Sequence, residues 1–129
     1  MDAFAPIWAL GLMSGTSMDG IDAAIVETDG VHVTAFGPAT TTPYDDVLRD
    51  RIRAALGDAS PDPAIARGLT DAHAACIEDL LSQHPEYKEK IEIVGLHGHT
   101  VLHAPADGVT VQIGDGPRLA ARLGIDVVS

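Results

Sequence analysis

The stretch from Gly11 to Asp22, G-L-M-S-G-T-S-M-D-G-I-D, constrains the fold more than any other part of this 129-residue chain. The apolar run Pro6 to Met13 breaks there into small polar residues, and a second apolar run begins at Ile21. Such a pattern reads as a strand, a tight turn and a second strand. Gly15 and Gly20 permit positive φ, and Ser14, Thr16, Ser17 and Asp19 carry short polar side chains, so successive backbone N–H groups have room to converge on an anion. Two readings fit these residues, a phosphate cradle and an ordinary glycine-containing hairpin turn.

Two other loops are excluded by the flanking residues. Gly15 and Gly20 have the glycine spacing of a P-loop, but Ile21 and Asp22 stand where its Lys and Ser/Thr belong, and Ala23 to Val26 continue as a strand instead of a helix. A nucleophile elbow on Ser17 fails because Asp19, not glycine, follows two residues later and no strand-to-helix turn is present.

Along the chain, Pro6 to Met13 is almost continuously apolar, which predicts a central strand covered on both faces. Ile21 to Thr28 predicts a second strand, Asp29-Gly30 a hairpin turn and Val31 to Phe36 a third, giving an antiparallel meander with His32 at an exposed position. Thr42 is the expected N-cap of a helix that starts at Pro43, buries Leu48, Ile52, Ala55 and Leu56, and ends at Gly57; its Arg49, Arg51 and Arg53 form a solvated face. A longer helix opens at Ser60-Pro61-Asp62-Pro63 and stops before His84-Pro85. Its stripe Leu69, His73, Cys76 and Leu80 makes the single cysteine a buried structural thiol. Ile91 to Leu96 is a strand reached through helices, hence parallel to a neighbour with its carboxyl end opening on a ligand crevice. Val109 to Ile113 reads as a short strand, Gly114-Asp115-Gly116 as the start of a helix ending at Gly124, and Ile125 onward as a last strand, cut short at Ser129.

Composition removes several function classes. A formal net charge of -11, with Lys88 and Lys90 the only lysines, offers no basic stripe for nucleic acid. No apolar run approaches the roughly 20 residues that span a bilayer, and Met1 to Phe4 lacks the positive start of a signal peptide, so no membrane partner and a soluble cytoplasmic protein are expected.

A second polar cluster, His97-Gly98-His99-Thr100, follows the Ile91 to Leu96 strand. On residue types alone it admits polar loop residues at a strand end, or a His-x-His zinc hydrolase with His97, His99 and His103 as ligands. Against zinc, neither a nearby cysteine nor a Glu-x-x-His pattern completes a shell. A noncatalytic domain that binds a small ligand is the remaining alternative.

Gly11 to Asp22, Gly95 to Pro105 and Val111 to Asp115 together closely resemble the anhydro-N-acetylmuramic acid kinase family. The resemblance implies an α/β fold: the ribonuclease H-like lobe of the sugar kinase, actin and Hsp70 type, a mixed sheet with three antiparallel meander strands followed by helix-linked strands. It implies that residues 1–129 are the amino-terminal part of the first lobe, with the second lobe absent from this chain. The activity implied is ATP-dependent phosphorylation of 1,6-anhydro-N-acetylmuramic acid, with hydrolytic opening of the anhydro ring to N-acetylmuramic acid 6-phosphate, in peptidoglycan recycling. ATP and Mg2+ are the implied cofactors, the amino sugar and ATP the small-molecule partners, and a homodimer is among the assemblies it admits.

By the same resemblance Gly15, Thr16, Ser17, Met18, Asp19, Gly20, Ile21 and Asp22 form the ATP phosphate hairpin, with Asp19 or Asp22 reaching Mg2+ through water, while His97, Gly98, His99 and Thr100 face the sugar. His99 stands where members of the family usually have glutamine. The family's catalytic aspartate falls beyond Ser129, so no residue here inherits that role, and the fragment alone is expected to be inactive.

Overall fold

The computed structural model describes residues 5–14 and 20–129. Its frame is a five-stranded sheet in the order β3-β2-β1-β4-β7. Strands β1 (Ile7–Ser14), β2 (Ile21–Thr28) and β3 (Val33–Thr42) form the antiparallel meander that the alternating runs predict. The Asp29 carboxylate organises the β2–β3 turn by accepting from the Val31 and His32 amides at 2.8 and 2.7 Å.

Strand β3 outruns the sequence expectation by six residues beyond Phe36, ending at Thr42. The pairing passes from Val26↔Phe36 to Ala24↔Ala39, so Gly37 and Pro38 oppose Ile25 alone in a bulge. Pro38 is tolerated because β3 is an edge strand, where its missing N–H breaks no ladder bond. Thr42 therefore belongs to the sheet and does not cap a helix. The N-cap of α1 (Asp46–Ala54) is Asp45, whose side chain accepts from the Leu48 amide at 2.8 Å. Leu48, Ile52 and Ala55 are buried as expected, but Leu56 lies past the helix and is 46% exposed.

Helix α2 (Pro63–Gln83) begins behind the Asp62 cap and ends where His84, preceding Pro85, leaves helical geometry. Its buried stripe includes Leu69, His73, Cys76, Ile77 and Leu80. It returns the chain to β4 (Ile91–Leu96), which pairs parallel to β1. Helix α3 (Gly116–Leu123), capped by Asp115 and closed by Gly124 at φ 67°, leads to β7 (Asp126–Val128), parallel to β4.

Between β4 and α3 the sequence reading had one strand where the structure has a hairpin, β5 (His99–Ala104) against β6 (Val109–Ile113). Its burial alternates at His99, Val101 and Ile113, and the Val101 carbonyl accepts from the Gly57 amide at 2.6 Å, tying the hairpin to the end of α1.

α2 packs against α1, α3 and the inner face of the sheet, so Leu10, Leu12, Ile21, Ala23, Ile25, Val94 and Leu96 are buried beneath one helical layer. β1 occupies the centre of the sheet as predicted, yet it is not covered on both faces. Gly11 is exposed and Met13 is 53% exposed, because among the described residues all three helices sit on the Leu10 and Leu12 side. An uninterrupted apolar run cannot distinguish these cases, since small and flexible residues such as Gly11 and Met13 are tolerated on either kind of face.

Candidate functional site

The parallel β1–β4 pair sets Leu12 beside Leu96, and the His97 amide donates to the Leu12 carbonyl at 3.4 Å. The carboxyl ends of the two strands thus bring Ser14 and the second polar cluster to one edge of the sheet. This is the end at which ligands enter open α/β sheets.

On the β1 side, Gly15 to Asp19 lie outside the described residues, so their assignment to a phosphate hairpin stays an expectation. Gly20, Ile21 and Asp22 are described. Gly20 is required by close approach: a Cβ there would stand 2.3 Å from the Thr42 carbonyl oxygen. Ile21 is 1% exposed and pairs with Ser14, anchoring the start of β2 in the core. Asp22 sits on the exposed face with its Oδ1 accepting from the Thr41 hydroxyl at 2.6 Å. It is an exposed carboxylate of the kind that reaches a hydrated cation through water.

On the β4 side the four residues of the second cluster separate. His97 is exposed and Gly98 turns the chain at φ 74°, so close to β6 that a Cβ would meet the Ile113 oxygen at 2.3 Å. Thr100 is half-buried. His99 turns inward and is fully buried. The cleft at this edge has a volume of about 170 Å³ and is lined by Leu96, His97, Gly98, Gln112, Ile113, Gly114 and Ser129. His99 does not line it, so any influence it has on a ligand there passes through its neighbours. The volume is below the roughly 300–1,000 Å³ of small-molecule sites.

Gln112 is the residue that sequence reasoning missed. Its Nε2 stands 3.3 Å from His97 Nε2 and 3.4 Å from Thr100 Oγ1, so it joins both candidate sugar contacts across the β5–β6 hairpin. The alternation of β6 places Gln112 and Thr110 on one face, but only the pairing with β5 reveals what they meet.

His97, His99 and His103 do not form a metal shell. His103 Nδ1 is 2.9 Å from the Thr110 hydroxyl, His99 Nδ1 is 2.8 Å from the Ser14 hydroxyl, and among the described residues no group of three His, Cys, Asp or Glu side chains is placed to hold a metal ion.

Beneath the edge lies a buried polar cluster. Tyr44, 4% exposed, bonds Ser14 at 2.5 Å, and Ser14 bonds His99. His73, behind them on α2, holds the Leu69 carbonyl through Nδ1 at 2.7 Å. Burial pushes the His99 imidazole below its usual range and His97 adds to this, while the Ser14 carbonyl opposes it. Burial also lowers His73 and raises Tyr44. Cys76, buried beside the Thr42 hydroxyl at 3.2 Å, has its thiol pushed up by burial, so it is an inert structural thiol and not a nucleophile.

A family model described as anhydro-N-acetylmuramic acid kinase matches residues 7–129. Among curated proteins, the anhydro-N-acetylmuramic acid kinase of Paramagnetospirillum magneticum is 49% identical over 121 residues, covering 94% of this chain and 34% of that protein. The protein of the same name from Rhodospirillum rubrum is 48% identical over 128 residues, covering 95% of this chain and 33% of its own length. That of Bradyrhizobium diazoefficiens is 47% identical over 130 residues, covering 93% of this chain and 35% of its own. The chain therefore spans about a third of the length of these relatives.

Proposed function

Because the chain belongs to the anhydro-N-acetylmuramic acid kinase family, we propose that it supplies the amino-terminal part of the first, ribonuclease H-like lobe of an ATP-dependent kinase that phosphorylates 1,6-anhydro-N-acetylmuramic acid and opens its anhydro ring. The observation that carries this reading is the junction of β1 and β4, where Ser14, at the end of β1, and the cluster beginning at His97 share one sheet edge. An antiparallel meander followed by strands parallel to β1 suits the proposed lobe.

Phosphoryl transfer needs an in-line approach, neutralised phosphate charge and an oriented nucleophile. In this reading Gly15 to Asp22 would cradle the ATP phosphates, and Asp19 or Asp22 would hold the hydrated Mg2+ through water. The ion supplies charge neutralisation when bound. His97 and Thr100, linked through Gln112, present ring nitrogen, hydroxyl and amide groups that bind sugar hydroxyls and fix the sugar's orientation. Gly98 lets the backbone pass close to β6 and gives the cleft its floor. In this reading the described residues offer positioning.

The test is a chimera in which residues 1–129 replace the matching third of the Paramagnetospirillum magneticum kinase. ATP-dependent conversion of the anhydro sugar to its 6-phosphate, within about tenfold of the parent rate, is expected. A folded chimera that binds neither ATP nor the sugar would exclude the reading.

A further inference from the structure

We propose that Tyr44, Ser14 and His99 form a one-way hydrogen-bond relay, Tyr44 O–H to Ser14 Oγ and Ser14 O–H to His99 Nδ1, which pins the end of β1 to the start of β5. Tyr44 and His99 thereby position Ser14 and, through its pairing, Ile21, the β1 and β2 residues on either side of the proposed phosphate segment. The functional half of this inference rests on the kinase reading; the direction of the relay does not.

The direction follows from counting buried hydrogens. All three side chains are at most 4% exposed, and they come from three elements: Ser14 ends β1, Tyr44 precedes α1 and His99 begins β5. Ser14 has one hydrogen to give and stands 2.5 Å from the phenol and 2.8 Å from the imidazole. If His99 donated from Nδ1, Ser14 Oγ would accept it, and either the serine or the tyrosine hydrogen would lack an acceptor in this cluster. His99 Nε2, which has no partner among the described residues, would then be a bare lone pair. If the tyrosine donates and the serine passes its hydrogen on, both hydroxyl hydrogens are used and the imidazole carries its proton on Nε2. That arrangement leaves the Nε2–H as the one buried group of the cluster without a partner, against two in the first, and unpaired buried polar groups are costly, so the second arrangement prevails.

His73 supports the same polarity. The Leu69 carbonyl can only accept, so His73 Nδ1 carries the hydrogen and its Nε2 is an acceptor. That Nε2 is the other buried side-chain atom without a partner among the described residues. The Leu69 carbonyl thus selects one tautomer at His73 and the Ser14 hydroxyl the other at His99.

The relay is not used by any substrate contact described above. It acts on Ser14, from which the chain leaves the sheet toward residues 15–19, and Ser14 pairs with Ile21 where the chain returns. A hydroxyl held from both sides fixes this exit.

Long-range nitrogen–proton spectra of the ¹⁵N-labelled chain at neutral pH read the tautomers directly. His99 should carry its proton on Nε2 and His73 on Nδ1; His99 protonated on Nδ1 would overturn the relay. Tyr44→Phe keeps the ring and removes only the donor. It should speed hydrogen exchange of the Ser14 and Ile21 amides by about tenfold, and unchanged exchange in the folded variant would count against a positioning role. His99→Gln retains an acceptor for Ser14 and should preserve that protection, whereas His99→Leu should lose it; equal behaviour of the two would also refute the proposal. Should His99→Leu not fold, Tyr44→Phe and the tautomers still decide. Titration with Mg·ATP reads the functional half: weaker binding in Tyr44→Phe than in the parent supports it, and equal binding overturns it. No binding by the parent would tell against the phosphate-site reading under Proposed function, while tautomers and exchange still decide the relay.

Discussion

The Ser14 hydroxyl lies 2.8 Å from His99 Nδ1 although the two residues are 85 positions apart. The contact joins the end of β1 to the start of β5, and it is possible only because β4 runs parallel to β1 and delivers the chain to the same sheet edge.

Acid should weaken the fold through the two buried imidazoles. His73 and His99 are held below their usual value near 6.5 by burial, so between the lowered folded value and about 6.5 the unfolded chain binds protons that the folded chain does not. Stability should therefore be fully present above about pH 6.5 and fall as the pH drops below it, by up to about 1.4 kcal/mol per pH unit for each imidazole. Urea unfolding at pH 7.5 and pH 5.5, compared with His99→Gln, measures this. A variant as acid-sensitive as the parent would remove His99 from the account.

Gly98→Ala should be severe and Gly11→Ala mild. The first forces a side chain into the left-handed region at φ 74° and onto the Ile113 carbonyl oxygen, at a cost of about 3 kcal/mol. At Gly11 nothing lies within 4 Å of the added Cβ, and a change within about 0.5 kcal/mol is expected. Denaturant midpoints of the two variants should differ clearly, and equal midpoints would contradict this account of the β4–β5 turn.

Asp45→Ala should cost about 1 kcal/mol, because the Leu48 amide loses its acceptor at the start of α1. A loss on Thr42→Ala as large as this, with none on Asp45→Ala, would return the cap to Thr42. Thermal unfolding of both variants distinguishes the two assignments.

Gln112→Leu should raise KM for the sugar about tenfold in the chimera with little change in stability, since the side chain is exposed and its partners are His97 and Thr100. Steady-state kinetics check this. An unchanged KM would place the sugar elsewhere.

Much of the fold was legible because local chemistry settles it. The Asp62 cap, the stop before Pro85, the Gly124 terminator, the apolar run of β2 and the alternating run of β6 each act within a few residues, and each appears where the sequence places it. The misses share a different cause. The extension of β3 depends on a bulge opposite Ile25, the cap at Asp45 follows from that extension, and β5 is a strand because β6 returns to pair with it.

The sequence alone determined two polar clusters, each following an apolar strand, and the chemistry their residue types allow. Tertiary structure decided which side chains serve that chemistry, because burial and pairing are set by residues far away in the chain. His97 and His99 are two positions apart and of one residue type, so local sequence treats them alike. The Gly98 turn and the arrival of Ser14 from β1 leave His97 exposed and draw His99 into the core, where a neutral, hydrogen-bonded imidazole is stable and a charged one is not.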